Sequence, residues 1–207
     1  MKNTCRLLLP AILLTTGVPS RVVAVEAQPD GRAKQRLEAI EWCDIWQPNQ
    51  NKSGLPRVLL IGDSITRGYY PVVQKQLAGK ALVDRLSSSA FVSDPMLLAQ
   101  VAMVLDNTHY DIVHFNNGMH GWQHSEEEYR AGFPEFVETI RKHAPSAKLI
   151  WAATTPLKSS VPAKPGEPRS SDNRIAARNA IALVAVKPQG IALDDLYTTM
   201  LGHPELH

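Results

Sequence analysis

From Arg57 onward, short apolar runs alternate with longer stretches in which apolar residues recur every three or four positions. The runs are "VLLI" at 58–61, "ALVDRL" at 81–86, "DIVHFN" at 111–116, "KLIWAAT" at 148–154 and "GIALDD" at 190–195. Runs of this length, separated by helical patterns, are the signature of repeated βαβ units. They predict an α/β fold: a three-layer α/β/α arrangement around a doubly wound, mainly parallel, five-stranded sheet.

The helical stretches carry their own start signals. Asp94-Pro95 opens one, followed by Leu97, Leu98, Val101, Val104 and Leu105 at helical spacing. Ser125 with Glu128 forms a capping-box pattern, and Tyr129, Phe133, Phe136, Val137 and Ile140 then share a face, with Pro134 expected to kink the helix. Ile175, Ala176, Ile181, Leu183 and Val184 mark a further helix after Asp172 or Asn173. The connection "LKSSVPAKPGEPRSS" at 157–171 is polar and Pro-rich, so it is expected on the surface, forming part of a rim over a site.

Ahead of the alternating pattern, residues 28–55 form a polar lead-in, with a short helix expected around Ala33–Trp42 and a turn-rich linker after it. The folded domain, 56–207, is expected to begin near Pro56. Trp42 and Trp46 are expected to pack the lead-in onto that domain rather than to touch a ligand. The first residues place Lys2 and Arg6 before an apolar run from Leu7 to Val18, broken by Pro10 and Gly17. This reads as a signal peptide over 1–27, cleaved after Ala27 or Ala24, and predicts a secreted or periplasmic protein. The run is shorter than the roughly 20 residues a spanning helix needs, so no stable membrane span is expected after its removal.

Composition narrows the chemistry. Removal of the leader with Cys5 leaves Cys43 as the one cysteine, which excludes an internal disulfide and a cysteine metal site. The formal charge of +2 is scattered rather than gathered into a basic stripe, so nucleic acid is not an expected partner. No His/Asp/Glu group has convincing ligand spacing, and neither a metal nor another cofactor is expected. His109, His114, His124 and His143 are scattered, His143 being a favourable charge near a helix C-terminus.

In open parallel sheets, ligands bind outside the carboxyl ends of the strands. The residues placed there are Gly62-Asp63-Ser64, Ser87 to Ser89, "NNGMHGW" at 116–122, and Thr154 to Pro156. Ser64 has two readings: a polar cap on the next helix, or a nucleophile whose own N–H, at a helix N-terminus, stabilises an oxyanion. "NRIAARN", with Arg174, Arg178 and Asn179, either reaches this edge from the fourth loop or forms a solvated helix face with one structural Asn.

"LLIGDSIT" resembles the first block of the SGNH, or GDSL-type, hydrolases, in which the serine of Gly-Asp-Ser is the nucleophile. The resemblance runs from about Pro56 to the end and implies a three-layer, flavodoxin-like sheet carrying an ester hydrolase. "DIVHFNNGMHGW" stands where the family has Gly-x-Asn-Asp; Gly118 fits the glycine, and the asparagine position falls on His120. The chain is similar to a subset with Gly-x-His there, which implies His120 as the side-chain oxyanion donor, with Asn117 as the fallback. The second block normally supplies a glycine N–H; "SSSAFVSD" has no glycine, and Ser89 is the nearest substitute.

The final block, Asp-x-x-His, supplies the family's general base and its orienting acid after the fifth strand. Here the residues three before His203 and His207 are Met200 and Pro204, so neither histidine completes it. The general base His and Asp are thus not present, and the sequence is expected to be a C-terminal truncation of a longer hydrolase. The resemblance implies a secreted serine esterase on small-molecule or carbohydrate ester substrates, carbohydrate acetyl esters among the options, through an acyl-enzyme on Ser64. The alternatives are a non-catalytic carbohydrate- or acyl-binding domain on the same fold, or an inactive fragment. A third reading, "IGDSITRG" as a phosphate-cradling loop of a nucleotide-binding domain, is weaker, because neither phosphate-loop glycine pattern is present.

Overall fold

The computed structural model describes residues 36–157 and 170–203. In chain order the elements are β1 (Cys43–Trp46), β2 (Arg57–Gly62), α1 (Ser64–Gln76), β3 (Leu82–Ser88), α2 (Pro95–Asn107), β4 (Ile112–Phe115), α3 (Glu126–His143), β5 (Lys148–Ala152), α4 (Ser170–Val186), β6 (Ala192–Asp194) and α5 (Leu196–Leu201). The strands form one sheet in the order β1-β3-β2-β4-β5-β6. All neighbouring pairs are parallel except β1 with β3.

The five expected strands are all present, and a sixth comes from the lead-in. Residues 36–42 are not helical, contrary to the helix expected around Ala33–Trp42; Ala33 to Gln35 lie outside the described residues. Instead β1 adds to the edge of the sheet in antiparallel register, Cys43 opposite Ser88 and Trp46 opposite Arg85. The folded unit therefore starts at Arg36, not near Pro56.

Two buried charges explain why the lead-in is drawn in. Every residue of β3 is buried, Asp84 and Arg85 included. A buried charge needs hydrogen-bonding partners. Asp84 Oδ2 accepts from Arg57 at 3.1 Å, from Gln50 at 2.8 Å and from the Tyr110 hydroxyl at 2.9 Å. Arg85 donates to Asp44 at 2.6 Å and lies over the Tyr70 ring. Gln50 and Asp44 both belong to the lead-in.

β2 is buried throughout because helices flank it on both faces. On one face Leu59, Ile61, Val113, Phe115 and Trp151 meet the apolar stripes of α2, α3 and α4. α2 starts at Pro95 with Asp94 as its N-cap, and Ser125 and Glu128 form the expected capping box at the start of α3. α4 begins at Ser170, before the expected Asp172 or Asn173. Most of the connection 157–171 lies outside the described residues.

On the other face, Val58, Leu60 and Val83 pack against Tyr70 and Val73 of α1. Among the described residues, cover over the middle of this face is thinner: a groove of about 950 Å³ runs between α1 and α5, floored by Val58, Leu60, Ile112 and Ile150. His114 also lines it. Among the described residues no helix is long and apolar enough to cross a membrane, and the predicted leader, 1–27, lies outside them.

Candidate active site

The chain leaves β2 for α1 on one side and returns through β4 on the other, so β2 and β4 are neighbours across the point where the winding reverses. Ligand crevices in such sheets open there. The turn Gly62-Asp63-Ser64 and the loop 116–122 therefore meet at one place.

The turn is tight. A Cβ on Gly62 would lie 2.0 Å from Thr66 Oγ1, so only glycine lets the first turn of α1 approach the strand end. Asp63, not Ser64, is the N-cap: its Oδ1 accepts from the Ile65 N–H at 2.8 Å. That separates the two readings of Ser64 as far as capping goes. Asp63 does the capping, while Ser64, the first helical residue, is exposed.

Asp63 is only 4% exposed, and its Oδ2 has no hydrogen-bond partner among the described residues. Burial pushes its carboxyl above the ordinary range, against the opposing pull of the Ile65 N–H and of the charge on His120.

The loop after β4 is held from below. Asn116 donates to the Ala152 carbonyl at 2.7 Å and to Thr154 Oγ1 at 2.9 Å. A Cβ on Gly118 would fall 2.3 Å from that same Thr154 Oγ1. Gly121 has φ +75°, a left-handed value that favours glycine. Arg178 of α4 donates to the carbonyls of Gly118 at 3.1 Å, His120 at 2.6 Å and Gly121 at 2.9 Å. Its guanidinium lies over the rings of Phe91, Trp122 and Tyr129.

Arg178 is fully buried, which corrects the solvated-face reading of "NRIAARN". Asn179 does have the structural role expected of it, pairing with the backbone of Thr154 through both its amide oxygen and its amide nitrogen. Arg174 bonds Glu126 and the carbonyls of Trp122 and His124.

The remaining residues singled out in the sequence fall into place as follows. His120 Nδ1 is 3.0 Å from Glu38 Oε2, and its Nε2 is buried without a partner among the described residues. The Trp42 ring meets the imidazole edge-on at 6.1 Å, so one of the two lead-in tryptophans stands at the site, while Trp46 is exposed.

The Ser89 N–H donates to the Trp42 carbonyl at 3.1 Å. The Ser89 hydroxyl is engaged by Glu41 and by the Trp42 N–H. This corrects Ser89 as an oxyanion donor: pairing with the lead-in consumes its N–H. Asn117 is buried and donates to the Ala90 carbonyl at 3.0 Å, which ties the loops after β3 and β4 together.

Glu38 and Glu41 were not foreseen as site residues, whereas Arg178 follows the alternative in which "NRIAARN" reaches this edge. The lead-in glutamates carry no motif. Arg178 did leave a signal, lying three residues from both Ile175 and Ile181 on the apolar side of α4.

Two further histidines bear on the base. The Asp-x-x-His spacing occurs at Asp106–His109 and at Asp111–His114. Asp111 accepts from the Arg57 N–H at the amino end of β2, away from Ser64. His114 pairs instead with Asp194 at 3.0 Å in the apolar groove, with Tyr69 edge-on to its ring. Burial pushes the Tyr69 hydroxyl up to about 12. His143 closes α3 and bonds Asp106. Among the described residues no group of three His, Cys, Asp or Glu is arranged to hold a metal ion.

No protein-family model matches the sequence, and no curated protein matches it. Solved structures do share the fold. A lipase/acylhydrolase from Enterococcus faecalis superposes with a TM-score of 0.54 at 18% identity, over 72% of this chain and 80% of that one. An acetyl xylan esterase gives 0.55 at 15% identity, over 71% and 80%. A carbohydrate acetylesterase from Sinorhizobium meliloti gives 0.55 at 15% identity, over 68% and 83%. The chain thus has the mixed α/β fold, with a largely parallel sheet between helices, that these ester hydrolases also have.

Proposed function

We propose that this protein is an exported serine esterase of the SGNH type, hydrolysing carboxylic esters, carbohydrate acetyl esters among them, through an acyl-enzyme on Ser64. The observation that carries the reading is the division of labour in the turn after β2. Asp63 supplies the helix cap and leaves Ser64 exposed at the start of α1, at the point where the winding of the sheet reverses. The resemblance of "LLIGDSIT" to the family's first block and the ester-hydrolysing fold neighbours support it. The substrate class follows the names of two of those neighbours, and export follows Lys2, Arg6 and the apolar run behind them.

On this reading Ser64 Oγ attacks the ester carbonyl carbon while its proton passes to a base. The oxyanion receives hydrogen bonds from the Ser64 N–H and from His120, and the tetrahedral intermediate expels the alcohol. Water then attacks the acyl-enzyme and frees the acid. Asp63 Oδ1 takes the Ile65 N–H as its cap bond, not the Ser64 N–H.

The test is hydrolysis of 4-nitrophenyl acetate and of acetylated xylo-oligosaccharides by wild type and Ser64→Ala, with folding followed by circular dichroism. A loss of at least ~10³-fold in kcat/KM at unchanged fold is expected. Equal rates in the two proteins overturn the esterase reading. Saccharide binding without turnover in either protein supports a binding domain instead.

A further inference from the structure

Glu38 lies outside every motif, yet its carboxylate makes two bonds into the loop after β4. Oε2 is 3.0 Å from His120 Nδ1, and Oε1 accepts the Gly121 N–H at 2.9 Å. Glu38 is itself fixed, its own N–H donating to Glu41 at 2.8 Å. Glu41 in turn accepts from Ser89 after β3. The lead-in thus spans from the end of β3 to the loop carrying His120.

We propose that Glu38 is a positioning residue for His120, holding its ring with the proton on Nδ1 and so making Nε2 a donor to the Ser64 site only when the ring is an imidazolium. The inference rests on the oxyanion-donor reading of His120 given above.

The argument is one of donors and acceptors. An ionised carboxylate only accepts, so Nδ1 opposite Oε2 must carry hydrogen. In the neutral ring the other nitrogen, Nε2, then has a lone pair and no proton. An oxyanion needs a donor, and a ring held this way offers one at Nε2 only after gaining a second proton. Two acidic groups face the ring: Glu38 on Nδ1, and the buried Asp63 within electrostatic reach. Trp42 presents a ring edge, and Arg178 contacts the His120 carbonyl rather than the imidazole. Charge-assisted donors are about twice as strong as neutral ones, so an imidazolium is a stronger oxyanion ligand than the amide it replaces.

Glu38→Gln separates this arrangement from a merely structural one. The Gly121 N–H is a fixed donor, so the glutamine must turn its oxygen toward it. Its NH2 then faces Nδ1, which has to become the acceptor, and the neutral ring's proton moves to Nε2. The same fold is kept with the opposite tautomer.

Long-range 1H–15N correlation spectra of the full chain, with the His120 signals assigned by their loss in His120→Gln, read this directly. Nδ1–H is expected in neutral wild type and in Glu38→Asp, and Nε2–H in Glu38→Gln. The same tautomer in wild type and Glu38→Gln overturns the proposal. If Glu38→Gln fails to fold, Nε2–H in neutral wild type overturns it alone.

In the ester assay, wild-type kcat is expected to fall on the alkaline side as the imidazolium loses its Nε2 proton. Glu38→Gln is expected to lose that alkaline limb, with kcat at its neutral plateau reduced roughly tenfold and KM within about twofold. An alkaline limb that persists in Glu38→Gln counts against the proposal. Ser64→Ala keeps the tautomer result independent of the esterase reading: undiminished hydrolysis there overturns the reading and leaves the Glu38–His120 assignment standing.

Discussion

Asp63 caps α1 with one carboxylate oxygen while the other is buried without a partner among the described residues. Its folded-state pKa is raised, burial being the largest cause, so ionising it costs stability. Below the ordinary carboxylate value Asp63 is protonated in both folded and unfolded chains and there is no cost. The cost grows as pH rises from there through the raised folded value. Asn caps a helix about as well as Asp and never ionises. Asp63→Asn is therefore expected to be more stable than wild type at pH 8, with the gain shrinking on acidification toward pH 4. Urea midpoints at the two pH values check this, and a gap that does not change with pH contradicts it. This is the scale at which the sequence was least decisive. Asp and Ser are both good caps, and only the bond from Ile65 shows which of the two holds the helix.

At the scale of elements, α4 serves the site from beneath. Its Arg178 replaces solvent for three loop carbonyls, and burial, followed by the nearby charge of Arg174, pulls its guanidinium below the usual range. Arg178→Met removes the donor and leaves the carbonyls of Gly118, His120 and Gly121 facing an apolar chain. A loss of about 2–4 kcal/mol is expected from that many unsatisfied buried groups. It should appear as a lower urea midpoint, with kcat/KM falling because His120 is displaced. A midpoint within error of wild type contradicts the account.

The helices themselves were readable because caps and apolar spacing are local: Asp94-Pro95 and Ser125 with Glu128 mark their starts in the sequence as in the structure. β1 was not readable. Its burial pattern is only intermediate, and its place depends on Asp44 meeting Arg85, 41 residues away.

At the largest scale, the five parallel strands and their winding were legible in the alternation of apolar runs and helical patterns, and the carboxyl-edge rule named the loops that carry the candidate residues. The lead-in escaped that reading because polar sequence normally marks a linker. Here it supplies the partners of Asp84 and Arg85 and two glutamates of the site. Its role is settled by long-range pairing that no local pattern encodes.

The groove between α1 and α5 bears on how this protein is handled at the bench. Thermal-shift assays with solvatochromic dyes assume that a native protein is dark and that fluorescence rises as the core opens. A folded chain with about 950 Å³ of largely aliphatic recess gives such a dye a home before any heating. ANS is expected to fluoresce with the native protein and to dim when Leu60→Lys or Ile150→Lys places a charge in the groove. A dark native state shows the recess to be closed to the dye. A bright one means that melting curves of the variants above need circular dichroism, whose signal depends on the backbone alone.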